Sequence, residues 1–340
     1  MKKILIYLSV MALLVAGNAP LASAAADNLR IASGVVGSMV YTLATGTAAV
    51  YQKHTGQTLE VLTKEVSATV QELYEGRYEL AATTNAAPWF FYYNINPQTL
   101  EPMEKKNRPP MRIVMMGNIQ THGLLTYADT GMTKASQLQG KRVAYGHGQY
   151  SVQLTARASL LTAGLTGNVT IVRASNIPQA AEQLQRGGAD ATHGAISASV
   201  FRELDAGRKV RFLTLEPTPE AHKALRDFFP GAVLVDVEPG PGLIGIPERT
   251  TLFGTHNCMV SATNIADDVI YKFVKTIYEN RADLAPFSQD FVDWQKELPV
   301  STYATAPFHP GAIRYYKEAG LWTPEVDAWN QHLLDLYKED

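Results

Sequence analysis

Several short stretches combine glycine, hydroxyl and amide residues at points where a predicted strand gives way to a predicted helix. In the first half these are Gly34 to Met39, with Val36, Gly37, Ser38 and Met39 as candidate contacts, then Ser67 to Thr69, and Thr83 to Asn85, where Thr84 and Asn85 are the candidates. In the second half they are Gly146 to Ser151, with His147, Gln149, Tyr150 and Ser151, and His193 to Ala195, with His193 and Gly194. At the strand-to-helix corners of an open α/β sheet, free backbone amides and the positive ends of helices converge, so such loops orient an anion such as a carboxylate without a buried cation. Arg173 closes a predicted second-half strand and is placed to pair with a carboxylate, although an exposed arginine fits the position equally well. The plain alternative for the first loop is that Gly34 and Gly37 make a tight turn and that Thr69 caps a helix.

Other chemistries find less support. Gly34-Val35-Val36-Gly37 lacks the third glycine and the acidic ribose partner of a dinucleotide fingerprint. His122, His147, His193 and His256 fall at cleft or hinge positions, which makes a divalent metal site conceivable, but their spacing is long and irregular, and polar lining is the preferred reading; no metal and no cofactor is expected. Cys258 lies in Asn257-Cys258-Met259-Val260, a predicted strand where cysteine behaves as a small apolar residue. There is no Gly-x-Ser-x-Gly elbow, and the loops hold no acidic pair for acid–base work. The pattern favours binding over catalysis. Trp89-Phe90-Phe91-Tyr92-Tyr93 reads as core or interlobe packing first and as a stacking wall for a ligand second.

The elements that must hold these loops alternate in the manner of a parallel sheet flanked by helices. Strands are expected at Leu29 to Ala32, Leu59 to Leu62 and Leu80 to Thr83; a helix is expected from Val40 to Tyr51, with Val40, Leu43, Ala44 and Thr47 on one face. Thr69-Val70-Gln71-Glu72 has the form of a capping box. Ile31-Ala32-Ser33-Gly34 is echoed by Val143-Ala144-Tyr145-Gly146, and Leu73 to Glu79 by Leu184 to Asp190, both at an offset of about 110 residues, which points to two lobes of similar design. A first passage between lobes is placed at Asn118 to Gly123, after the strand Ile113 to Met116, and a second near Thr251 to Cys258; helices from Asp267, Pro310 and Pro324 return to the first lobe. The expected division is residues 25–119 with 255–340 as one lobe and 120–254 as the other. Together these give a two-lobed α/β fold with parallel-rich sheets flanked by helices and two crossings that make a hinged cleft.

Lys2 and Lys3, the apolar run Ile4 to Ala16 and Ala22-Ser23-Ala24 have the order of a cleavable signal peptide over residues 1–24, so export to a Gram-negative periplasm is expected. With one cysteine the exported chain holds no internal disulfide, and a formal net charge of −2 argues against a nucleic-acid or membrane-surface partner. A small ligand and a monomeric receptor are expected.

His309-Pro310-Gly311-Ala312-Ile313-Arg314-Tyr315-Tyr316-Lys317-Glu318-Ala319-Gly320 resembles the C-terminal signature of the TAXI family of solute receptors, which serve tripartite ATP-independent periplasmic (TRAP) transporters. Ile31 to Gly37 with Tyr41, Leu138 to Val143, and Asp268 to Tyr271 through Tyr278 to Asn280 are similar to the family in the same order. The resemblance implies a two-lobed type II periplasmic binding-protein fold with hinged lobes that close on an organic acid, such as glutamate, glutamine or another carboxylate, and delivery to a permease driven by an ion gradient. Where the family usually continues Gly-Thr-Tyr, this chain has Ser38, Met39 and Val40. Where the family has Pro-Gly-Ser-Gly-Thr, it has Gly148, Gln149, Tyr150, Ser151 and Val152, and Thr84 stands where a glutamine is frequent. These departures favour a larger or more apolar carboxylate over glutamate. A receptor for an ATP-driven importer and a metal-binding protein built on the cleft histidines are the alternatives.

Overall fold

The computed structural model describes residues 28–34, 36, 38–63, 72–73, 75–96, 99–104, 111–147, 150–216, 218–288, 291 and 299–336. The predicted signal peptide, the capping box at Thr69 to Gln71 and the candidates Gly37, Ser67, Thr69 and Gln149 lie outside the described residues.

Strand β1 (Asn28–Ser33) sits between β2 (Thr58–Thr63) and β3 (Leu80–Thr84), all parallel. Helix α1 (Met39–Thr55) starts where the Ser38 hydroxyl accepts from the Tyr41 amide at 3.2 Å, and it stops at Gly56, whose φ of 70° is a left-handed cap that most side chains resist. The predicted face of Val40, Leu43, Ala44 and Thr47 is the buried one. In the second half β5 (Arg142–Gly146) sits in the same way between β6 (Thr170–Ala174) and β7 (Ala191–Ala195), with α3 (Tyr150–Thr162), α4 (Ile177–Gln185) and α5 (Ser199–Gly207) as connections. The two halves therefore share the strand order β2-β1-β3 and β6-β5-β7, which is the structural content of the sequence repeat.

The repeat extends to a side-chain device. Glu79, just before β3, receives the Arg30 amide at 2.8 Å and its guanidinium at 2.8 and 3.2 Å. Asp190, just before β7, receives the Arg142 amide at 2.8 Å and its guanidinium at 2.9 and 3.2 Å. In each lobe a two-pronged arginine–carboxylate clamp fixes the start of the central strand against its neighbour.

Two long strands join the halves. β4 (Met111–Tyr127) and β10 (Thr250–Ala262) run antiparallel to each other from one half into the other and complete the order β2-β1-β3-β10-β4-β7-β5-β6, with β8 (Val210–Phe212) on β4 and β9 (Val233–Val237) on β10. The expected strand followed by an open passage is thus one uninterrupted strand, because its polar residues keep their backbone in the ladder. The β4–β10 register shifts between His256 and Cys258, a bulge at the midpoint of the crossing. Gly123 and Gly254, both on its second-half side, permit tight packing: a Cβ would meet Phe212 at 2.8 Å in the first case and Ile119 at 2.7 Å in the second.

The aromatic segment forms most of α2 (Ala86–Tyr92), and it packs rather than opens to a ligand. Trp89 is 3 % exposed and stands edge-on to Phe229 at 5.2 Å, beyond α6 (Pro219–Phe228). α7 (Asp267–Glu279), α8 (Pro310–Glu318) and α9 (Pro324–Asp335) start at the expected residues and join the core of the first half. Among the described residues no helix is long and apolar enough to cross a membrane.

Candidate functional site

The ladder registers fix where the loops go. β3 ends at Thr84 opposite Asn257 of β10, whose side-chain amide donates to Asn118 Oδ1 of β4 at 3.0 Å. β7 ends at Ala195 opposite His122 of β4. Thr84 and Ala195 are therefore separated along the crossing by the four residue steps from 118 to 122, about 13 Å at the rise of an extended strand. β3 and β7 run toward each other along β4, so the carboxyl ends of both parallel sets face one gap. The loops that open into it follow β1, β3, β5, β6 and β7. Among them the amino ends of α1 and α5 supply free amides; Ala198, before α5, has no side-chain oxygen to cap them.

The predicted residues divide three ways. Val36, 71 % exposed, and the partly exposed Ser38, Met39 and Thr84 stand on the first-half wall; Tyr150 and Ser151 open α3 on the second. Asn85, His193 and Gly194 are fully buried. Asn85 Nδ2 donates to the carbonyls of Gly231 at 2.8 Å and Tyr303 at 3.1 Å, so this side chain ties the two halves together while its Oδ1 has no partner among the described residues. His193 stacks on His122 at 6.1 Å and reaches Ser159 Oγ at 3.3 Å; Gly194 lies under Phe201, 2.9 Å from where a Cβ would be. His147 and Arg173 line a cavity of about 680 Å³ along the flank of the second half, with Tyr145, Arg157 and Phe228. None of the first-half candidates lines it.

The histidines do not assemble. His256 stacks on Tyr303 at 5.3 Å, His147 Nδ1 bonds Gln153 Oε1 at 2.9 Å, and only His122 and His193 are neighbours. Among the described residues no three His, Cys, Asp or Glu side chains are grouped to hold a metal ion. Burial pulls His122 and His256 down to about 4, with the Arg226 charge adding to the effect at His256; burial, then His122, holds His193 well below the ordinary value. All three are neutral near pH 7. Cys258 is sealed in the core, and burial pushes its thiol pKa up, the opposite of what a nucleophile needs.

At the midpoint of the crossing, Asn257 is a polar group that sequence reasoning did not single out, and it lies next to His256, which was expected as polar lining. Asn257 Oδ1 and His256 Nδ1 are buried without partners among the described residues, beside the equally orphaned Asn85 Oδ1. Arg226, whose guanidinium lies 4.7 Å from the Tyr303 ring and donates to Thr302 O at 3.3 Å, is a second tie between the halves. Asn118 and Asn257 are 139 positions apart, so only the β4–β10 register joins them.

Comparison with solved structures gives the same architecture. A TctC solute binding protein from Polaromonas is 14 % identical with a TM-score of 0.52, over 91 % of this chain and 98 % of that one. Weaker likenesses include the aliphatic sulphonate binding protein SsuA from Escherichia coli, 14 % identical with a TM-score of 0.45 over 92 % and 87 % of the two chains. The substrate binding protein of an amino acid ABC transporter is 11 % identical with a TM-score of 0.44, over 79 % and 100 %. The fold is that of two-lobed periplasmic binding proteins. The sequence pattern of the NMT1-like family matches residues 31–320, and the chain belongs to the NMT1-like family.

Proposed function

We propose that the chain is an exported receptor of the TAXI type, which captures an organic carboxylate between two lobes, residues 25–119 with 255–340 and residues 120–254, and delivers it to a TRAP permease in the periplasm. The observation that carries this reading is the convergence of both sets of strand ends on the gap beside Asn118 to His122. A ligand there touches both lobes only when they close, so its binding energy favours the shut state. The free amides at the starts of α1 and α5 suit an anion, and among the described residues the gap offers neither an acid–base pair nor an activated nucleophile, so the reading is of capture rather than catalysis. The proposed contacts are Val36, Gly37, Ser38, Met39, Ser67, Thr69 and Thr84 from the first lobe, and Gln149, Tyr150 and Ser151 from the second, with Asn85, His193 and Gly194 behind them; Arg173 and His147, which line the flank cavity, are left out of this set.

The test is a thermal-shift screen of purified protein lacking residues 1–24 against organic acids, amino acids and divalent cations. A ligand that binds only the folded state raises the melting temperature. A shift with a carboxylate, accompanied by a smaller radius of gyration in solution scattering, is expected. A shift with a divalent cation and none with any acid refutes the reading.

A further inference from the structure

The flank cavity differs from the gap in position and in chemistry. It lies between α3 and the edge strand β6, on the face where Tyr145 pairs with Arg173 and Val143 with Ile171. Its floor is apolar: Leu160, Leu161, Leu165 and Ile171. Its polar groups are cationic or neutral. The guanidiniums of Arg157 and Arg173 both line it, and no carboxylate does among the described residues. Arg173 has no ion-pair partner among the described residues; Arg157 bonds the Thr99 carbonyl and lies 3.9 Å from Glu101, at the outer limit of an ion pair.

An apolar-floored space left open beneath a helix forfeits packing energy, and two arginines facing one such space repel each other. Both costs are offset by an occupant that has an anionic head and an apolar body. The volume of about 680 Å³ falls within the range of small-molecule sites. The cavity runs away from the gap: Leu161 is eleven residues beyond the first residue of α3, about 16 Å along the helix axis.

We infer that this cavity is a second binding site, separate from the gap between the lobes, for an organic monoanion with an aryl or medium-chain apolar body. The carboxylate pairs with Arg173 and Arg157, and the body lies on Leu160, Leu161 and Leu165. Thr99 belongs to the loop after α2, in the first-lobe part of the chain, so a carboxylate that draws Arg157 off its carbonyl loosens a link between that loop and α3.

The probe is 2-naphthoate, titrated calorimetrically into the full mature chain, with 2-naphthalenemethanol as its neutral counterpart. Saturable binding is expected, weakened about tenfold or more by removing the charge of the ligand, by Arg173→Gln and by Arg157→Gln, the usual scale for a charge-assisted hydrogen bond. Leu161→Trp, which fills the floor far from the gap, abolishes it. Arg173 is exposed on an edge strand, so Arg173→Gln tests the charge without disturbing the packing. No saturable binding overturns the inference; so does binding that survives Leu161→Trp and Arg173→Gln unchanged, which places the probe elsewhere. Neither outcome bears on whether the gap between the lobes takes a carboxylate.

Discussion

Acidification should destabilise this protein well above the pH at which its carboxylates titrate, and the buried histidines set the size of the effect. His122, His193 and His256 are 9 %, 0 % and 7 % exposed. His122 faces Phe253 and the neutral His193, His193 faces Ser159 and His122, and His256 faces Tyr303 and the Arg226 charge, so among the described residues no carboxylate offsets their protonation. A histidine held below its ordinary value takes up a proton on unfolding, so its contribution is complete above 6.5 and is lost as pH falls from 6.5 toward 4. For His122 and His256, both near 4 when folded, linkage gives a loss of about 2 kcal/mol each at pH 5, or about 4 kcal/mol together. His193, further depressed, and His309, lowered by burial, act in the same direction. A chain of this size loses roughly 2–3 °C of melting temperature per kcal/mol, so a fall of about 10 °C between pH 8 and pH 5 is expected by calorimetry. The clamp carboxylate Asp190, which its bond to Arg142 holds below its ordinary value, gives up its contribution only at lower pH and leaves this window to the histidines. Combining His122→Gln with His256→Gln should flatten the pH dependence whatever it does to stability at pH 8. A melting temperature that is level from pH 8 to 5, or a slope unchanged in the double variant, refutes the reasoning.

Two substitutions test the packing that positions the site. Gly311→Ala places a Cβ 2.1 Å from the Asp267 carbonyl oxygen, backbone that cannot step aside cheaply, and should cost about 3 kcal/mol in urea unfolding. Trp89→Ala empties the contact between α2 and Phe229 and should cost roughly 3–5 kcal/mol, with a more expanded shape in solution scattering because that contact bridges the halves.

The parallel strands and α1 are legible in their apolar period, while the ends of α1 are set by the Ser38 cap and the Gly56 stop, which carry the helix four residues past the expected Tyr51. The repeat was legible because each lobe needs the same turn before its third strand. The crossing was read as a passage because Asn118, Gln120 and His122 are polar, yet a strand that borders a gap on one face needs no apolar run. The sequence places Asn85 at a strand end, correctly, but nothing local announces that its amide reaches Gly231, 146 positions away.

The most specific motif, His309-Pro310-Gly311, explains why family likeness says little about ligand. His309 is fully buried; its Nδ1 accepts from the Gly311 amide at 3.1 Å, and its Nε2 donates to the Ile265 carbonyl at 3.1 Å. Those two bonds fix one neutral tautomer, cap α8, and bring Gly311 against the start of α7, where no other side chain fits. The motif is therefore held by helix packing remote from the gap. The proposed contacts are under no such constraint: the side chains of Val36, Met39 and Thr84 make no cap. On the proposed reading the frame rests on such packing and the choice of ligand on those few wall residues, so substitutions at Val36, Met39 and Thr84 should change which carboxylate raises the melting temperature while leaving the stability of the free protein nearly unchanged.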